Sequence, residues 1–300
     1  MTPNYLKKML PLLLDADPAQ ATNVRLVSLA RAFVAGYELV SSVAPAGEFG
    51  TEETFRNRID SLFWVLSERS EHEPDTAIRR MVHAMYSLAC KTVFPADLRK
   101  KNCCYRAADA LVRDFMGVVG ARPENGLFQQ TGVCMCAADL LYPAPAADDE
   151  YLLFLKRQLA GWTSALDADG CWPGVSSEVA LERIGVMNRV AWMFPDLGND
   201  TATRRAAGYY RRCVCVPADP LNFDEGYLCT LGRMYEVALQ GNALPVDKPA
   251  AWRIARFMYD YSLTLPVRGD AWYYCTSYVI HCIAESIGAR LEAEMERHIA

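Results

Sequence analysis

The sequence predicts an all-α protein. Three observations carry that expectation: apolar residues recur at helical spacing in segment after segment, runs of alternating β-branched residues bounded by turn dipeptides are almost absent, and Pro, Gly, Asp and Asn cluster at eleven regular breaks. Eleven breaks delimit twelve helices. The breaks fall at 15–18, 45–51, 71–74, 94–97, 120–126, 143–149, 167–174, 195–200, 217–222, 241–247 and 266–270.

In chain order, the first helix is expected over 3–15 and the second over 19–43, where Ala, Gly and Val dominate. Thr51 ahead of Glu52 and Glu53 opens a third over 51–69, and a fourth follows over 75–93. Asp97 after Pro95 caps a fifth over 97–119; the sixth, 125–142, carries no Lys or Arg from Gly126 to Tyr142 and reads as buried all round. Asp148, Asp149 and Glu150 begin the seventh over 148–166, where acids complement the helix dipole, and 175–193 forms the eighth. The ninth covers 200–214. Asn222, with Glu225 three residues on, is read as the cap of a tenth over 222–239, and the last two span 247–264 and 270–290.

The segments alternate in character. Odd-numbered ones hold most of the basic residues, among them Lys7, Lys8, Arg56, Lys100, Arg157, Arg204 and Arg253, and look outward-facing; even-numbered ones are rich in Ala, Gly, Cys, Val and Met. The outer segments recur about every 45–52 residues, the period of a repeated supersecondary unit. Six helical hairpins with a polar outer and an apolar inner helix can close into two concentric rings, an (α/α)6 toroid, and with no long polar linker residues 1–300 are expected to form a single domain. An open solenoid would need polar capping repeats, and the last pair, with Trp272, Tyr273 and Tyr274, is as aromatic as the middle.

Composition narrows the function classes. The chain has 300 residues, is 52% hydrophobic and 22% charged and carries a formal net charge of −5, so it lacks the cationic footprint of a nucleic-acid binder. No window approaches the roughly 20 apolar residues of a spanning helix. Eleven cysteines is an odd count, and several are near neighbours within apolar stretches, as Cys103 with Cys104, Cys134 with Cys136 and Cys213 with Cys215; free thiols in the cytoplasm are expected rather than a disulfide framework. A faint secretory echo lies in Lys7, Lys8 and the short apolar run after them, interrupted by Asp15 and Asp17.

The stretch Leu155-Lys156-Arg157-Gln158-Leu159, then Asp167-Ala168-Asp169-Gly170-Cys171-Trp172-Pro173-Gly174, then Glu178-Val179-Ala180 resembles one hairpin of the toroids of the terpenoid cyclase and prenyltransferase class. There an outer helix ends in an Asp-Gly-x-Trp type of turn before an inner helix. Six-hairpin glycosidases and helical-toroid polysaccharide lyases are similar at this level, so the resemblance implies an architecture shared by several chemistries. Asp167-Ala168-Asp169 is followed by Gly170, not by the further Asp of the cyclase acid motif.

In such a toroid the inner-helix N-termini converge, bringing Asn125, Gln129 and Gln130 together with Asp167, Asp169 and Trp172, with Asn222, Asp224 and Glu225, and with Asp270, Trp272 and Tyr273. Paired carboxylates flanked by aromatic faces suit glycoside hydrolysis, with one acid protonating the leaving oxygen and the other activating water or attacking the anomeric carbon. Asp169 and Asp224 are the expected catalytic pair, with Asp270 in reserve; Asn125, Gln129, Asp167, Trp172, Glu225, Trp272 and Tyr273 are the expected binding residues. The same acids are also ordinary helix caps and turn residues. The function expected is therefore a carbohydrate-active hydrolase or lyase on an oligosaccharide or other small molecule; terpenoid chemistry and a non-catalytic binding toroid are the alternatives. No nucleotide, serine-hydrolase or zincin motif is present, and no cofactor is expected. Cys275 and His281 lie six residues apart, about 600° around a helix, on different faces, which argues against a metal site.

Overall fold

A computed structural model describes residues 3–42, 50–72, 76–119, 127–141 and 146–299. Every regular element among them is helical, and no strand occurs. The α-helices are α1 (Pro3–Leu14), α2 (Asn23–Ser42), α3 (Glu52–His72), α4 (Thr76–Met85), α5 (Lys91–Val93), α6 (Leu98–Val119), α7 (Leu127–Leu140), α8 (Glu150–Ser164), α9 (Ser177–Met193), α10 (Asp200–Cys213), α11 (Leu228–Leu239), α12 (Lys248–Ser262) and α13 (Asp270–Ile299). A π-helical segment, Tyr86–Cys90, joins α4 to α5, so these two and the π turn occupy the span expected of one helix.

The chain separates into two compact units, the first Met1–Cys104, Ala218–Phe223 and Ala255–Ala300, the second Tyr105–Pro217 and Asp224–Ile254. In unit 1, α3 shows why the sequence is helical. Phe55, Ile59, Leu62, Phe63 and Leu66 recur at the 3.6-residue period and are all fully buried, while Glu52 and Glu53 sit in the first turn and Arg69 and His72 in the last. This stripe packs on α2, where Gly36 leaves the room Phe55 takes: a Cβ there would come within 2.5 Å of the ring. α13 lies against α2 and is buried from Cys275 to Ile280 without interruption, the mark of a helix enclosed all round.

Unit 2 is centred on α9, which contacts α7, α10 and α11 and is buried from Val179 to Ile184. Its buried Asn188 ties down the segment after α11, donating to the Gly241 carbonyl at 2.9 Å and accepting from Ala243 N–H at 3.1 Å. Ser176 caps α9 through Val179 N–H, Asp149 caps α8 through Tyr151 and Leu152, and Asn199 caps α10 through Ala202. The caps expected at Thr51 and Asp97 are present too, bonded to Thr54 N–H and to Arg99 and Lys100 N–H.

One helix start is corrected. Asn222 does not cap a helix; it closes a 3-10 turn, Pro220–Asn222, capped by Asp219, and a second such turn, Glu225–Tyr227, delays α11 to Leu228. Pro220 fixes the first turn, and each Asp accepts the N–H two residues on, a local bond that competes with helix continuation.

Candidate functional site

The link between α8 and α9 is built around Asp167. Its Oδ1 accepts three backbone N–H groups, from Asp169 at 3.0 Å, Gly170 at 2.9 Å and Cys171 at 2.7 Å, while Asp167 N–H donates to the Cys171 carbonyl at 2.9 Å. Gly170 has φ +96, and a Cβ there would lie 2.5 Å from the Arg205 carbonyl oxygen, so both backbone conformation and space require glycine. The turn delivers Trp172 into the core at 1% exposure. Its indole N–H donates to the Trp162 carbonyl at 2.7 Å, its backbone N–H donates to the Tyr210 hydroxyl at 3.1 Å, and its ring stacks on that of Tyr210.

Trp162 and Trp172 flank Arg183 of α9. The guanidinium carbon is 5.2 Å from the centre of the first ring and 5.5 Å from the second, and the residue is 4% exposed. Its Nε is sealed from solvent with no acceptor, and among the described residues the guanidinium meets neither a hydrogen-bond acceptor nor a carboxylate. Burial pushes its pKa below the ordinary arginine value, against the opposing influence of Tyr210 and Cys134. Burial in turn raises the Cys134 thiol and takes the Tyr210 phenol up to about 12, so neither supplies a negative charge near neutral pH.

Two other cations, one half-buried and one buried, differ. On the same helix Arg189 is paired with Asp139, and on α6 the ammonium of Lys100, 3% exposed, meets Asp60 at 2.5 Å and Asp97 at 2.8 Å amid Phe63, Trp64 and Phe94. Glu182, beside Arg183 in sequence, faces Arg233 at 3.9 Å. A lone buried cation is expensive, because removing an ion from water costs several kcal/mol after relaxation, roughly, and flanking rings return about 2 kcal/mol when desolvated. An anion reaching the guanidinium would restore the balance.

The residues expected from sequence are placed as follows. Asp167, Asp169, Trp172, Asp224 and Glu225 belong to unit 2, and Asp270, Trp272 and Tyr273 to unit 1. Asp169 is exposed. Asp224 is exposed and accepts Gly226 N–H at 2.9 Å, capping the turn that contains Glu225. Asp270 opens α13 and is held by the Arg25 guanidinium, with Thr22 Oγ1 at 3.4 Å. Trp172 and Trp272 are each 1% exposed, so neither offers an open ring face; Tyr273, buried beside Trp272, has its phenol raised by burial. Asn125 and the side chain of Gln129 lie outside the described residues.

Trp172 thus enters the candidate site as a wall rather than as a stacking platform. Arg183 is the residue that sequence reasoning did not single out. Its signal was a charged pair, Glu182-Arg183, set between Leu181 and Ile184 in a helix expected to be buried.

Among the described residues no group of three or more His, Cys, Asp and Glu is arranged to hold a metal ion, and no helix is long and apolar enough to cross a membrane. Comparison with protein families, with curated proteins and with solved structures returns no match for this chain.

Proposed function

We propose that this protein binds a small carboxylate-bearing ligand in unit 2, with Arg183 receiving the carboxylate. The observation that supports this is a guanidinium 4% exposed, walled by two tryptophans and lacking a counter-ion among the described residues. A guanidinium is a planar fork that matches a carboxylate with two parallel bonds, and aromatic walls favour a planar group between them. The hydrolytic reading has no comparable support, since of its expected acids Asp224 caps its own turn, Arg25 holds Asp270, and Asp169 is exposed on the turn that Asp167 organises.

The six-hairpin (α/α)6 arrangement is part of the same proposal. It is supported by α13 lying against α2, which joins the last hairpin to the first. That all eleven cysteines are free agrees with the reducing compartment the sequence suggests.

A thermal-shift panel tests the ligand class. It compares aliphatic and aromatic carboxylates, uronic-acid oligosaccharides, neutral oligosaccharides, inorganic phosphate and isoprenoid diphosphates with Mg²⁺. A native-state ligand at a hundred times its dissociation constant stabilises by about 2.7 kcal/mol. Stabilisation by carboxylates, lost in Arg183→Met, is the expected result. A shift with neutral oligosaccharides that survives Arg183→Met and disappears in Asp169→Asn would replace this reading with the hydrolytic one. A shift with diphosphates alone would promote the isoprenoid alternative.

A further inference from the structure

The Arg183 site is closed. Arg183 and Trp162 are each 4% exposed and Trp172 is 1% exposed, so a ligand reaches the guanidinium only if one wall moves. Trp162 is fixed in α8, where Leu152, Phe154, Leu155 and Leu159 are buried with it, and displacing that ring means displacing a packed helix. Trp172 is carried differently: it is sent inward by a surface link in which Asp167, Ala168, Asp169, Pro173 and Gly174 are all exposed. The link is tied to itself by the three bonds to Asp167 Oδ1 and by Asp167 N–H on the Cys171 carbonyl, so 167–171 hold together as one piece. Gly174, at φ +76 with nothing within 4 Å of where a Cβ would stand, gives that piece a pivot in open space. Trp172 fastens the link to its surroundings. Its backbone N–H donates to the hydroxyl of Tyr210, a residue of α10 that is 3% exposed, and its indole N–H donates to the Trp162 carbonyl.

We infer that the Asp167 turn is a gate over Arg183, with Trp172 as its plug and the Tyr210 hydroxyl as its catch. This rests on the ligand reading of Arg183 and adds how that site fills. Opening turns the link about Gly174 and carries Trp172 away, while Trp162, α9 and the guanidinium stay in place; the ligand enters at the face that Trp172 covered. The open form is the minor one, because opening brings a buried indole into water and breaks two hydrogen bonds. Association is therefore slower than collision and is set by how often the gate opens. Asp167 is a positioning residue: its three bonds keep the plug and the turn moving together, so an acid expected to bind substrate serves the site from outside it.

Hydrogen exchange tests the motion. In the full-length protein at low urea, NMR follows the backbone and indole N–H of Trp172 beside the amides of Ile184, Val186 and Val190 in α9. The Trp172 groups are expected to exchange faster than those of α9 and with a shallower dependence on urea, since opening a turn exposes far less surface than unfolding. Tyr210→Phe keeps the ring, removes the catch and speeds Trp172 exchange about tenfold, the size set by a buried N–H left without its acceptor. Trp172 exchange in step with α9 at every urea concentration would overturn the gate, and an unchanged rate in Tyr210→Phe would overturn the catch. Stopped-flow tryptophan emission on mixing with benzoate or propionate tests the link to the ligand, with association about tenfold faster in Tyr210→Phe expected at equal concentration. Equal association rates, with Trp172 exchange accelerated, would show entry by another route and overturn the gate. Silence with both carboxylates in both proteins would instead overturn the Arg183 reading, with local exchange at Trp172 still establishing that the turn moves.

Discussion

Replacing Arg183 by methionine is expected to make the unliganded protein more stable while abolishing ligand binding. Methionine has a similar length, fills the space between Trp162 and Trp172, and its thioether makes contacts of about 0.3–1.5 kcal/mol with aromatic rings. The native guanidinium gains about 0.5–2 kcal/mol from its rings. Against this stand a sealed Nε without an acceptor, about 1–3 kcal/mol, and the desolvation of the ion itself, a further several kcal/mol, roughly. Substituting well-packed apolar residues for buried ionic groups stabilises by about 1–4 kcal/mol in favourable cases, and that is the gain expected here. Urea unfolding of the two proteins, at equal m-values, measures it. A loss of about 3–5 kcal/mol instead would show that removing Arg183 strands a buried anion of the chain itself, and the ligand proposal would fall.

Lys100→Met should move stability the other way, because this ammonium has its acids; the loss stays below the about 3–5 kcal/mol of a fully buried broken pair, since Asp60 and Asp97 reach solvent. The same cluster sets an acid limb. The Lys100 hydrogen bond holds Asp97 below its ordinary value, so its contribution is present above about pH 3.9 and is lost as pH falls through the lower folded value. At the other end, burial drives Lys100 down but the bonds to Asp60 and Asp97 more than reverse it, so that contribution persists below about pH 10.4 and fades as pH rises through the raised folded value. Unfolding followed against pH in Lys100→Met should flatten both limbs. Gly170→Ala should destabilise by at least about 1–3 kcal/mol, from positive φ and the Arg205 carbonyl together, and a thermal midpoint equal to wild type would refute the close approach. Trp172→Ala should cost about 3–5 kcal/mol, a size set by its burial and read by chemical denaturation.

Helices were legible in the sequence because their signals are local. The stripe of α3 and the caps at Thr51 and Asp97 involve residues within a few positions of each other, and the expected and observed spans agree closely from α3 to α10 and again at α12. α11 was misjudged at its start because Asp219 and Asp224 bond their own turns, and an Asp ahead of an apolar run looks the same in sequence whether it caps a 3-10 turn or an α-helix. The candidate site was hidden for a different reason. What distinguishes Arg183 from Arg189, six residues along the same helix, is that one finds a carboxylate on α7 and the other finds two rings. Partners of that kind are set by which helices lie side by side, and helical periodicity does not encode it. Trp172 shows the converse: its turn was readable, yet its role as a wall depends on carbonyl and phenol groups 10 and 38 residues away.

The two indoles beside Arg183 are also a light source. Exciting an indole moves electron density from its five-membered to its six-membered ring, and a fixed positive charge nearby shifts the emission according to the end it faces. Two of the six tryptophans therefore report on the charge between them, whereas Trp192, 63% exposed, emits from solvent and serves as the internal reference. Arrival of an anion at the guanidinium cancels the field at Trp162 and Trp172 and leaves Trp192 unchanged, so occupancy of the site can be followed by its own colour, without a label.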